Sequence, residues 1–104
     1  MKYVNYAGTV RVLTSDSIAD AVIRYAAALH QSRLSDVVSI PTADTFGVAS
    51  TVEVLLAPAL PVALEPAPDD DLEPEGGAFL LELARRTEAV LAVDTSAEPP
   101  HLGC

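Results

Sequence analysis

The chain has 104 residues, half of them hydrophobic, and a net charge of −9 from six Lys and Arg against fifteen Asp and Glu. A single domain of this size buries roughly two thirds of its unfolded surface and needs no staple, and its apolar content excludes global disorder. The acidic balance argues against nucleic-acid binding, which needs a basic patch against phosphate. No apolar window reaches the roughly 18 residues of a membrane-spanning helix.

The five aromatics are Tyr3, Tyr6, Tyr25, Phe46 and Phe79, so the core must be mostly aliphatic. The richness in Ala and Pro, with five Arg to the single Lys2, is the bias of GC-rich bacterial genomes. Cys104 is the only cysteine. It permits no intrachain disulfide, and a reducing cytoplasmic setting is expected. The opening "MKYVNYAGTV" lacks the apolar segment of a secretory signal.

In chain order, "KYVNYAGTVRVLT" is β-rich, and Ala7-Gly8 reads as the turn of a hairpin. Tyr3 and Tyr6 then fall on opposite faces. "TSDSIADAVIRYAAALHQSR" follows with cap residues Thr14, Ser15 and Ser17 and acids Asp16 and Asp20 at its start. Ile18, Val22, Tyr25 and Leu29 recur on one helical face. This predicts a helix over about 16–31, with Asp20 placed to pair with Arg24. The small run Ala26-Ala27-Ala28 invites close approach by another element.

"DVVSIPT" reads as a strand ending at Pro41, "ADTFG" as a turn, and "VASTVEVLLA" as an alternating strand. The two should pair antiparallel, presenting Val38, Ile40, Val52, Val54 and Leu56 to the helix. The apolar run "STVEVLLAPALPVALEP" then continues through Pro58 and Pro61, which cannot donate to a ladder and belong at or beyond a sheet edge. The extended segment with Leu60, Val62 and Leu64 either covers the core as an edge strand or leaves an apolar edge for another chain. "GGAFLLELARRTEAVLA" predicts a second helix over 77–92. Leu80, Ala84, Thr87 and Leu91 form its stripe, Phe79, Leu83 and Val90 flank it, and Glu82 sits four residues before Arg86.

The charge is uneven. Residues 1–64 carry four cations and five carboxylates, a net of −1, while residues 65–104 carry Arg85 and Arg86 against ten carboxylates, a net of −8. The shift falls at the solvated, Pro- and Gly-rich "EPAPDDDLEPEGG". The expected class is α+β in two layers: an antiparallel sheet in ββαββ order packed on one helix, plus a C-terminal helix after an acidic Pro-rich linker. The expected divisions are a core at 1–64, a linker at 65–77, a helix at 78–92 that docks on the core or a neighbouring subunit, and a loosely ordered tail at 93–104.

Chemistry is hard to find. Gly76-Gly77 lacks the Lys and Ser or Thr of a phosphate loop. Ser15, Asp16 and His30 cannot meet as a triad, because a helix sets them roughly 20 Å apart. "DDDLEPE" lacks the Gly and Glu placement of a calcium loop, and "HLGC" offers two soft ligands where a tetrahedral metal wants four. "PALP" has P-x-x-P spacing without the basic neighbour of such ligands. No cofactor or metal is expected, and no catalytic residue. The expected function is a non-enzymatic protein-interaction module that self-associates as a homodimer. Its surface would be Val54, Leu56, Leu60, Val62, Leu64, Phe79 and Leu83, with neither nucleic acid nor membrane as partner. The alternatives are an acidic inhibitor or adaptor for a basic protein, a small-molecule binding domain and, last, an enzyme without a recognisable motif.

Overall fold

The structure, a computed structural model, describes residues 1–43, 49–68 and 76–97. The predicted turn at 43–47 apart from Ala43, with its Phe46, the acidic run at 69–75 with its calcium reading, and the terminal His101 and Cys104 lie outside these residues.

Strands β1 (Lys2–Tyr6) and β2 (Val10–Thr14) form the expected antiparallel hairpin, with Val4 opposite Val12. Ala7 and Gly8 both take left-handed φ, 55° and 75°, and Thr9 N donates to Tyr6 O at 3.2 Å. Positive φ at both central residues matches the twist of the paired strands. Glycine adopts it freely, whereas Ala7 does so against a steric penalty.

Helix α1 (Asp16–Ser32) begins where the cap pattern placed it. The Ser15 hydroxyl accepts from Ile18 N at 3.2 Å, satisfying one of the unpaired donors of the first turn. Arg33 ends the helix in the left-handed region, its N–H donating to His30 O while Leu34 N donates to Leu29 O; such a stop closes the last orphan carbonyls. Asp20 turns to Lys2 of β1, 3.0 Å away, rather than along its own helix.

Strands β3 (Asp36–Ala43) and β4 (Ala49–Leu56) pair antiparallel, Val38 opposite Val54. A fifth short strand, β5 (Val62–Pro66), returns to pair antiparallel with β1, Val4 opposite Leu64. The order ββαββ therefore holds, with one strand added before helix α2 (Gly77–Ala97), which runs on past the predicted end at 92.

The strands form two sheets, β2-β1-β5 and β3-β4, where one was expected. The break lies between β2 and β3, joined near their C-terminal ends by side chains: the Thr14 hydroxyl donates to Pro41 O at 2.7 Å and the Thr42 hydroxyl to Leu13 O at 2.6 Å. Pro41 turns its carbonyl toward β2 and has no N–H to add beside it, so no ladder forms there. Threonine hydroxyls close the seam instead.

Val4 and Val12 from the first sheet meet Val38, Ile40, Val54 and Leu56 from the second, under Ile18, Val22, Tyr25 and Leu29 of α1. The predicted inner face of the β3–β4 hairpin is thus the one buried. On the outer face of the first sheet, Arg11 lies over the Tyr3 ring, 4.2 Å from its centre, and reaches Glu65 at 3.3 Å, while Tyr6 packs inward against the core.

Candidate interaction surface

Helix α1 has two flanks beside its core face. On one, α2 packs against it. Leu83 of α2 is 2 % exposed and joins the core, with Phe79, Leu80 and Val90 half-buried around it. The predicted stripe is rotated toward Leu83, leaving Leu91 exposed on its far side. Gly76 makes the entry possible: a Cβ there would stand 2.5 Å from Ile18 Cδ1, so any larger residue would push the helix start off the core.

A polar clasp fixes the docking. Tyr25 Oη donates to Asp36 Oδ2 at 2.5 Å, and Arg86 Nη1 donates to the same oxygen at 3.1 Å and to Val37 O at 3.4 Å. Glu82 holds Arg86 Nε at 2.9 Å and also accepts from Arg85. Burial, reinforced by the Asp36 carboxylate, pushes the Tyr25 hydroxyl up to about 12. Arg86 first and Arg85 second hold Glu82 below the usual carboxylate range, and Glu82 in turn raises Arg86. One phenol, two carboxylates and a guanidinium thus tie α1, the start of β3 and α2 together, each charge facing its opposite.

The other flank is open. Ile23, Ala26, Ala27 and His30 face the connection from Ala57 to Val62 across a groove of about 580 Å³. A turn shapes that connection, Leu60 N donating to Ala57 O at 3.0 Å, with Pro58 and Pro61 stiffening it. Ala26 and Ala27 form the α1 wall of this groove. Among the described residues no carboxylate lines the groove, although the chain as a whole carries −9.

The groove runs into the edge of the first sheet. Ala7 N donates to Pro61 O at 2.8 Å and Ala67 N to Met1 O at 3.2 Å. Within the β1–β5 register these bonds set the alternation: Ala63 and Glu65 turn their backbone groups to β1, while Val62 and Leu64 turn theirs outward. Among the described residues no strand pairs with that outer side. The side chains of Val62 and Leu64 point inward and are only half-buried.

No family model, curated protein or solved structure matches this chain.

Of the seven residues expected to form a contact surface, the structure brings together three: Leu60 and Val62 line the groove and Leu64 follows on β5. Val54, Leu56 and Leu83 are 6 %, 1 % and 2 % exposed. They are consumed by the core, because α2 docks on its own chain and the β3–β4 hairpin turns its inner face to α1, so they offer nothing to a partner. Phe79 stands apart, lining a separate open cavity with Pro41, Thr42 and Ala49 to Thr51. Ile23 and His30 belong to the groove and escaped the sequence reading. The signal for Ile23 was its place on α1, one turn before Ala27 and off the core stripe. Among the described residues no cluster of three or more metal-ligating side chains occurs, and no helix is long and apolar enough to cross a membrane.

Proposed function

We propose that the chain is a non-enzymatic interaction module that self-associates through the groove beside α1 and the adjoining edge of β5. The observation that supports this is the continuity of one uncharged strip, from Ile23, Ala26 and Ala27 across Leu60 to Val62 and Leu64, in a strongly acidic chain. In a chain of net charge −9, two copies that meet through this strip bring no carboxylate of its described lining toward one another. A two-fold dimer is the commonest arrangement for such a patch. The lone Cys104 supports a reducing, cytoplasmic setting for it.

Sedimentation equilibrium of the full chain under reducing conditions, over a range of concentrations, tests this reading. The expected result is a reversible dimer that Leu60→Asp weakens by about tenfold or more, since a desolvated charge costs well over 1.4 kcal/mol. A wild-type chain that stays monomeric throughout, or a Leu60→Asp variant that dimerises unchanged, defeats it.

A second reading draws on the net −8 of residues 65–104: that half of the chain steers a basic protein partner. Its association rate should then fall steeply with added salt. A salt-independent rate removes it.

A further inference from the structure

We infer that two copies join by antiparallel pairing of β5 with β5 across a two-fold axis, making one six-stranded sheet ordered β2-β1-β5-β5-β1-β2. This rests on the self-association proposed above and specifies its geometry.

The outward groups of β5 are self-complementary. With Leu64 opposite Leu64 of the second copy, each Leu64 N–H donates to the other's Leu64 carbonyl. In the same register Val62 faces Pro66 of the second copy, and each Val62 N–H donates to the opposite Pro66 carbonyl. That makes four hydrogen bonds, by the alternation the β1–β5 register imposes. Pro66 supplies no donor, but it ends the strand and its carbonyl is all this register needs beyond Val62.

The side chains agree with the backbone. Val62 and Leu64 are half-exposed on the inner face; in this register Leu64 packs on Leu64 of the second copy and Val62 lies opposite Pro66 and diagonal to that Leu64, so both lose exposure to water. On the outer face Glu65 stands opposite Ala63 rather than another Glu65, and it already faces Arg11 at 3.3 Å. Of the other strand edges among the described residues, those of β2 and β3 face each other across the threonine seam, and that of β4 carries exposed Glu53 along its length. A charge on an edge strand blunts edge-to-edge pairing; β5 carries no such charge at an outward-bonding position.

The test is residue-resolved amide hydrogen exchange of the full chain, below and above the concentration of association. The Ala63 and Glu65 amides, bonded to β1, should be protected at both. The Val62 and Leu64 amides should exchange quickly in the monomer and slow by about tenfold or more in the dimer. A companion variant, Val62→Pro, removes one outward donor, leaves every β1–β5 bond in place and adds no charge to the groove. It should weaken the dimer by about tenfold, the loss of two charge-free hydrogen bonds across the axis.

A dimer whose Val62 and Leu64 amides exchange as fast as in the monomer overturns the strand pairing and leaves groove association standing. Full-strength dimerisation by Val62→Pro does the same. A chain that is monomeric at every concentration overturns both.

Discussion

The two flanks of α1 are built from similar material, yet one is closed and the other open. Toward α2 the helix offers Ala21 and Arg24, and toward the Ala57–Val62 connection it offers Ile23, Ala26, Ala27 and His30. The closed flank receives a large side chain, Leu83, that reaches the core, and a set of charged groups that allows one docking geometry. The open flank faces a connection of Ala, Pro and Leu whose own leucine, Leu60, stays half-exposed and does not reach the core. Apolar surface alone is therefore not what holds α2 in place. A deep anchor supplies the energy, and the Tyr25–Asp36–Arg86–Glu82 clasp supplies the position. The flank with neither remains available to a second chain.

The sharpest way to break the comparison is to remove the anchor. Leu83→Ala should destabilise the protein by about 2–5 kcal/mol, read as a lower denaturant midpoint. Gly76→Ala should cost about 1–3 kcal/mol, because the added methyl meets the fully buried Ile18. Tyr25→Phe should cost about 1 kcal/mol for its lost hydrogen bond and leave self-association unchanged.

The same substitution carries a pH signature. The folded chain holds the Tyr25 proton up to about 12, against an ordinary value of 10.0. The stability from this group is complete below 10 and is lost as pH rises from 10 toward 12. Wild-type stability should therefore fall more steeply across that window than that of Tyr25→Phe, as thermal unfolding at stepped pH would record. On the open flank, Ala27→Glu should leave the unfolding midpoint nearly unmoved while weakening the dimer in sedimentation, since Ala27 is already exposed. The smallest effect belongs to Arg85→Ala: its pair with Glu82 is solvent-exposed, and no measurable midpoint shift is expected.

Much of the fold is legible residue by residue. The cap at Ser15 and the spacing of Ile18, Val22, Tyr25 and Leu29 place α1 to within a residue at its end. Ala7-Gly8 marks the hairpin, and the alternation from Ala49 to Leu56 marks β4 and its buried face. The candidate surface is legible only in part. Leu60, between two prolines, and Val62 and Leu64, beyond them, announce themselves by that punctuation, whereas Val54, Leu56 and Leu83 carry the same apolar signal and end in the core. Composition reports that a side chain prefers to leave water, not which neighbour will cover it.

The local elements were determined by the sequence, because capping, turn conformation and period act over a few residues. Three features were decided only by tertiary structure: the break between the two sheets at Pro41, the docking of α2 through Leu83 and Arg86, and the outward direction of the Val62 and Leu64 amides. Each depends on a partner far along the chain, Thr14 for Pro41, Asp36 for Arg86 and β1 for β5. Contacts of that range are set by the packing of the whole core, which no local pattern encodes.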